Sequence, residues 1–403
     1  MCSAPTWLNN QFLEEALNSK DENNVRVLTS EITRATAPGD NYGSDMYRAA
    51  ISISKNGAQE KKSLIVKAEL TSPEMRKIIS EGNVFEREIN AYNNIIPSLE
   101  QILAQSASNK YQPYAPKCYY THLGEPASLI ILEDLTESGF RLIKPLGGLD
   151  LKHCVIAIHA LAVHHAASVV LHAEHPEVME QFKVSGYSAH MRQNVERIFN
   201  PFLKQLADEA ENWPECKSGI ADKLHDLVSK TFDHLMTCVK TDDEVFNVFC
   251  HEDTWMNNIM FQYNEETKQV KDVRFVDFQV CQWTSPAVDL LYFINANASV
   301  TIVKRPHILI DEYYKTLSAT LDTLGYGHLS PSKNDIYDEF EKRHKFGVIM
   351  GCILRKVMYV DRNVHDDVDM EKVLKEDFKH VFPEMYVKDM KDILPIFHQR
   401  GWL

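Results

Sequence analysis

The stretch that most constrains this chain runs from Phe246 to Tyr292. It holds His251, Asp253 and Asn258 in the pattern H-x-D-x-x-x-x-N, and Asp277 opens Asp-Phe-Gln after an apolar run. Asn258–Tyr263 and Val270–Phe275 alternate or run apolar, and Asn264–Gln269 carries turn residues between them, which predicts a short β-hairpin. Folding that hairpin brings Asp253, Asn258 and Asp277 to neighbouring strand ends. Three hard oxygen side chains meeting there suit a magnesium ion that carries a nucleotide's phosphates. An isolated H-x-D reads as a capped turn; the asparagine and the second aspartate at hairpin distance argue for chemistry.

Composition sets the outer limits. The chain has 403 residues, 44% of them hydrophobic, enough for two or three domains or for one bilobal enzyme with a shared cleft. Its 43 basic and 57 acidic residues leave a net charge of −14, which argues against a nucleic-acid or anionic-membrane surface. Its 8 cysteines are scattered without a C-x-x-C pair, as buried thiols in a reducing compartment are. Met1–Trp7 lacks the basic start and apolar core of a signal peptide. No run approaches a membrane span on this reading, because the most apolar helix, near Cys154–Leu171, is interrupted by His159, His164, His165 and Ser168. The expectation is a cytoplasmic protein with no membrane insertion, no nucleic acid and no obligate protein partner.

Taken in order, the chain starts with a helix capped at Thr6 that carries Leu8, Phe12, Leu13 and Leu17 on one side. Three strand-like runs follow at Val25–Ala37, Met46–Ser54 and Ser63–Leu70, separated by Pro38–Asp45 and Asn56-Gly57. A helix over Gly82–Ile96 has Phe85, Ile89, Tyr92 and Ile96 at helical spacing, with Glu88 at the edge of that face. Lys117–Thr121 and Ser128–Glu133 add a strand pair. Helical patterns then dominate, with the hairpin as the one clear strand pair among them. The boundary is expected near Ile131–Gly139, dividing the chain into 1–134 and 135–403. Glu180–Lys240 reads as a helical insertion and Ile308–Phe382 as a helical block.

Lys67 stands midway along the third strand in Leu-Ile-Val-Lys. A nucleotide site of this type needs a strand lysine on the α- and β-phosphates and a helix glutamate to hold it, and Glu88 is the candidate partner. The plainer reading puts Lys67 on an exposed sheet face and Glu88 at a helix edge. Tyr42, Gly43 and Ser44 lie where a phosphate cradle would sit, although a simple hairpin turn explains them equally. Ile131, Leu132, Glu133 and Asp134 form an apolar strand ending in acids, the candidate hinge: the backbone of Leu132–Asp134 would meet an adenine edge and Ile131 its face. Asp253 is the candidate base toward an acceptor hydroxyl, with Asn258 and Asp277 as metal ligands. His251 is expected to order the loop by hydrogen bonds, and Asp289 to brace it from below or to favour a helix start. The adjacent His164 and His165 point in different directions from one helix and read as packed residues.

These residues together resemble the ecdysteroid-kinase-like family. The resemblance is carried by Asn41–Arg48, Leu64–Lys67, Phe85–Glu88, Leu132–Leu135, His165–Ser168, His251–Asn258 and Val276–Gln279, and runs from about Val25 to at least Tyr292. Glu252 stands where the family usually has glycine; Gln279 agrees with the small-molecule branch. The family belongs to the choline-kinase and aminoglycoside-phosphotransferase branch of the protein-kinase-like fold. The resemblance implies an α+β bilobal fold, with a small sheet-rich N-lobe and a large, mainly helical C-lobe. It also implies ATP and Mg2+ as cofactors and a small-molecule hydroxyl acceptor, with ecdysteroids as namesake substrates. The alternatives are a choline- or aminoglycoside-type kinase and a catalytically silent nucleotide-binding protein.

Overall fold

The computed structural model describes residues 4–19, 24–35, 44–70, 83–105, 112–125, 127–185, 191–217, 219–359 and 382–403. Tyr42 and Gly43 of the expected cradle, Cys2, Gly82, the last two residues of the first expected strand and most of the C-terminal block beyond Tyr359 lie outside the described residues.

Helix α1 (Asn10–Asn18) is capped by Asn9 rather than Thr6. The Asn9 amide both accepts from Phe12 N and donates to Thr6 O, each at 3.1 Å. One side chain thereby closes the cap and fixes the preceding turn, which a threonine hydroxyl at position 6 is too far back to do. Strands β1 (Val25–Arg34), β2 (Asp45–Lys55), β3 (Ala58–Ala68), β4 (Cys118–His122) and β5 (Leu129–Glu133) form one antiparallel sheet in the order β1-β2-β3-β5-β4. Asn56 and Gly57 join β2 to β3 with φ of 52° and 85°, the two positive values that a tight hairpin requires. The two-residue period of the strands then divides the side chains. Leu64, Val66, Leu129 and Ile131 pack with Leu13 and Ala16 of α1, while Ile130 and Leu132 join the main core on the other face. Lys67 pairs with Ile130, so it lies on that second face.

Across this face runs α2 (Val84–Asn90), which continues through a wide π turn at Ala91–Ile95 into α3 (Ile96–Gln105). The helix thus extends beyond Ile96, the expected end. Pro97 has no N–H and its ring crowds the carbonyl four residues back, and a widened turn just before it relieves both.

The chain turns over 134–139 into β6 (Phe140–Leu142), then enters α4 (Leu151–Glu174). Contrary to the sequence reading, α4 is long and apolar enough to cross a membrane by length and composition. Of the histidines read as interruptions, His164 and His165 are packed inside at 2% and 0% exposure, and His159 stays partly exposed against Glu312. Helices α5 (Arg192–Ala210), α6 (Ile220–Ser229) and α7 (Thr231–Val239) fill the expected insertion. Next come β7 (Val248–Cys250), the hairpin β8 (Ile259–Tyr263) and β9 (Val270–Phe275), and β10 (Gln282–Thr284). The hairpin forms as expected, but β6 adds to β8 and β7 pairs with β10. Three residues are too few to display a strand period, which is why the sequence shows one strand pair here and the structure has more. Helices α8 (Ala287–Asn297), α9 (Val300–Val303), α10 (His307–Thr323), α11 (Lys333–Lys342), α12 (His344–Tyr359) and α13 (Glu384–Gln399) complete the described chain. The fold is α+β: an N-terminal antiparallel sheet followed by a mainly helical region.

Every residue of α8 is buried, and the loop before α4 is stitched to its end. Leu149 N donates to Asn297 O at 2.7 Å, and Ser299 N donates to Leu149 O at 3.0 Å. Gly148 makes the approach possible: its φ is +85°, and a Cβ there would sit 2.8 Å from Asn297 O. Gly148→Ala is therefore expected to cost about 2 kcal/mol or more, from the left-handed backbone and the clash together. Urea denaturation checks this; an unchanged midpoint would mean that the loop yields freely.

Candidate active site

Lys67 is held from two sides. Its Nζ donates to Glu88 Oε2 and to Asp277 Oδ1, both at 2.6 Å. Strand β3 supplies the lysine, α2 the glutamate and the turn after β9 the aspartate, so one ammonium ties three elements. Lys67 and Glu88 are only 3% and 1% exposed, so Glu88 is not at a solvent-facing helix edge. Burial works to strip the Lys67 proton, but Asp277 and Glu88 outweigh it and hold the ammonium above the ordinary lysine range. Burial raises Glu88 to about 7 against the pull of Lys67.

The catalytic-loop candidates follow β7. His251 accepts at Nδ1 from Asp253 N at 3.3 Å and meets Val276 O through Nε2 at 3.0 Å. That pattern requires the proton on Nε2, and burial lowers the histidine pKa so that the ring stays neutral. His251 thus orders the loop and ties it to the residue before Asp277, the structural role expected of it. Asn258 Nδ2 donates to Asp253 O at 3.0 Å and to Asp253 Oδ2 at 2.8 Å. This turns its amide oxygen away from Asp253, free to face a cation. Val276 N donates to Asn258 O at 3.0 Å, closing the hairpin that brings the side chains of Asp253, Asn258 and Asp277 to one end. Asp253 is half-buried, and its carboxyl rises to about 7 from burial and from the charge of Asp277, against hydrogen bonds from Tyr292 and Asn258. Glu88 and Asp277 thus place two carboxylates on one ammonium, and the Asp253 carboxyl stands close enough to feel the charge of Asp277. That excess negative charge and hard-oxygen donor set fit a divalent cation such as magnesium.

Asp289, at the start of α8, braces the loop from below. Its Oδ2 accepts from His251 N at 2.8 Å and its Oδ1 from Glu252 N at 2.7 Å. His165 Nε2 meets the same Oδ2 at 3.1 Å, and His165 Nδ1 meets Tyr313 Oη at 2.8 Å. His165, Cys250 and Asp289 come close enough to hold a metal ion, yet the histidine and aspartate are already paired within the protein. Burial also pushes the Cys250 thiol up, away from the thiolate a metal would take. The cluster is a brace.

Around the hinge the structure corrects one expectation. Ile131 is buried on the α1 face with Leu64 and Val66, opposite Lys67, so its side chain is turned away from any nucleotide that Lys67 holds. Leu132 pairs with Ile65 and lies on the lysine face. Glu133 N donates to Lys117 O at 2.8 Å, engaging that amide within the sheet. Asp134 takes Arg48 Nε and Ser63 Oγ at 2.7 Å each, and Thr136 Oγ1 at 2.6 Å. These bonds hold the carboxyl below its ordinary range although burial opposes them. Asp134 therefore fastens the crossing between the two sheets. Ser44 is buried immediately before β2.

The sequence profile of the ecdysteroid kinase-like family matches residues 38–326, which takes in strands β2 to β5 of the sheet, the lysine pair, the loop and the hairpin. The chain belongs to the ecdysteroid kinase-like family. Comparison with curated proteins gives no match. Among solved structures, a GDP complex of wild-type aminoglycoside 2'-phosphotransferase-IIIa is 12% identical, covering 93% of this chain and 100% of its own, with a TM-score of 0.36. A GDP complex of a point mutant of that enzyme gives 12%, 92%, 97% and 0.34. Likeness at that score carries no weight, and the fold rests on the strand order and contacts described above.

In this ecdysteroid kinase-like chain Glu252 stands where the resemblance implied glycine, and the backbone at this position is one that favours glycine. Its φ is +62°, a left-handed conformation that costs a side-chain-bearing residue roughly 1–2 kcal/mol. Glu252 is 2% exposed, and neither carboxylate oxygen has a hydrogen-bond partner. Burial, then the charge of Asp289, push its carboxyl well above the ordinary glutamate range. Sequence reasoning also passed over Tyr292, whose Oη donates to Asp253 Oδ1 at 2.5 Å, and Asn297, whose Nδ2 donates to Thr254 O at 2.6 Å. The spacing held a clue for the first: Tyr292 is three residues after Asp289 and shares its helix face.

Glu252→Gly is expected to stabilise the nucleotide-free protein, relieving the backbone and removing a buried unpaired group worth about 1–3 kcal/mol. Because the folded carboxyl titrates above the unfolded one, wild type loses stability as pH rises from the unfolded glutamate pKa of about 4.3. The advantage of Glu252→Gly should therefore be larger at pH 7.5 than at pH 5, as read by thermal denaturation. A smaller gain at the higher pH would contradict the assignment.

Proposed function

We propose that this chain is an ATP-dependent kinase that moves the γ-phosphoryl group onto a hydroxyl of a small molecule. The observation that carries the reading is the convergence of Lys67, Glu88 and Asp277 beside the Asp253–Asn258 pair. In this mechanism Lys67, kept charged and aimed by Glu88, grips the α- and β-phosphates. Asn258 and Asp277 hold magnesium, which when bound supplies neutralisation of the charge on the phosphate oxygens. Asp253 accepts the proton of the acceptor hydroxyl and aims its oxygen at phosphorus. A carboxyl that titrates near neutrality suits that task, and any cation held by Asp277 weakens one of the two causes that raise it. Positioning and electrostatics then do most of the work, and turnover is expected at about 1–100 per second with a matched acceptor.

The family name makes ecdysteroids and other sterols the first acceptor class to try, with choline-like and aminoglycoside alcohols as the runner-up. The described cysteines are free and, apart from Cys118, buried, which supports a reducing, cytoplasmic setting. The second reading is a catalytically silent nucleotide-binding protein, and the strained, unpaired Glu252 beside Asp253 is the observation on its side.

Radiolabelled γ-phosphate transfer across sterols, aminoglycosides and choline-like alcohols tests the proposal. Asp253→Asn should abolish transfer while nucleotide binding largely survives, and Asp277→Ala should lose magnesium-dependent binding. Wild-type turnover in Asp253→Asn would end the role given to Asp253. A magnesium-dependent nucleotide shift in melting temperature, with no product on any acceptor, would select the silent reading.

A further inference from the structure

Helix α8 grips the loop around Asp253 at three levels. Before the aspartate, Asp289 takes the backbone N–H groups of His251 and Glu252. After it, Asn297 Nδ2 donates to Thr254 O. Between them Tyr292 reaches the Asp253 side chain itself, donating from Oη to Oδ1 at 2.5 Å. The other carboxylate oxygen, Oδ2, accepts from Asn258 Nδ2 at 2.8 Å. A carboxylate with each oxygen tied to a different donor has a fixed plane. The donor is itself fixed: Tyr292 is 3% exposed, and its ring packs on Phe346 of α12 with centroids 6.1 Å apart.

We propose that Tyr292 is a positioning residue for phosphoryl transfer, its hydroxyl locking the plane of the Asp253 carboxylate so that the remaining lone pairs face the acceptor oxygen. The inference rests on the kinase reading above and deepens it. A hydroxyl bound to a carboxylate is a short, charge-assisted bond, and it uses one lone pair of Oδ1 while leaving the second. Without it the carboxylate turns on the single anchor that Asn258 provides. Misplacing a reacting group by about 1 Å can cost 10²-fold in rate. The competing role for Tyr292 is packing between α8 and α12, which the ring alone performs.

Tyr292→Phe separates the two, since it removes only the hydroxyl. The assay uses the whole chain with magnesium ATP as the sole ligand and water as the acceptor, following slow phosphate release in wild type, Tyr292→Phe, Asp253→Asn and the double variant. The expected result is a kcat about 10- to 100-fold lower in Tyr292→Phe, at unchanged KM for ATP and unchanged melting temperature. The double variant should be no slower than Asp253→Asn, because a hydroxyl that acts through Asp253 has nothing to act on once Asp253 is neutralised. Wild-type turnover in Tyr292→Phe, where Asp253→Asn is dead, overturns the role of Tyr292 and leaves the kinase reading standing. A raised KM, a lowered melting temperature or a further loss in the double variant means that the hydroxyl acts on ATP binding or on the fold rather than through Asp253, and overturns the assignment as well. Phosphate release by Asp253→Asn at the wild-type rate removes the kinase reading and this inference with it.

Discussion

The Lys67 ammonium between Glu88 and Asp277 is the interaction on which the site depends, because it joins three segments that are otherwise separate. Its worth is geometric more than energetic. Two unit charges about 4 Å apart at an effective dielectric near 20 gain about 4 kcal/mol, and desolvating each ion takes back several. The pair therefore adds little to net stability, but removing one member would leave buried charge without a partner. An arrangement that is costly to break and near neutral to keep sets where β3, α2 and the turn after β9 must stand. The negative charge left over after one lysine meets two acids, with Asp253 nearby, is what a divalent cation would balance.

A second constraint comes from below. Helix α8 is buried along its whole length, and Asp289, Tyr292 and Asn297 reach up from it to backbone or side-chain atoms of residues 251–254. Those bonds explain how the loop keeps Glu252 at a φ of 62°, while Lys67 fastens Asp277, in the turn after β9, where φ is 70°; side-chain-bearing residues adopt such values only when their surroundings over-determine them. In both places the strain borders a carboxylate that the proposed chemistry uses. At Glu252 the fold also tolerates a buried acid without a hydrogen-bond partner among the described residues.

Much of this site was legible in the chain. The strand period put Lys67 on one face of β3, the helical period put Glu88 near the matching face of α2, and the hairpin set Asp253, Asn258 and Asp277 together. All three inferences use spacing within one element or across one turn, where few backbone geometries are available. Where the reading went astray, the cause was non-local. Ile131 lies on the opposite face from Lys67 because its register partner is Val66, and pairing register is a property of two strands. The apolar helix α4 reads as interrupted by histidines until Tyr313 and Asp289 bond one of them and Tyr114 stacks on the other.

By itself the sequence determined the kinds of element, their order, and which acids, amide and amine could meet, because hydrophobic period and turn chemistry act over a few residues. Only the tertiary structure decided how those groups are held: that Asp289 takes the loop backbone, that Tyr292 holds Asp253, that Asp134 fastens the crossing between sheets, and that Glu252 is buried without a partner. Each depends on atoms brought together across tens of residues of chain, and such contacts follow from how whole elements pack, which no local spacing encodes.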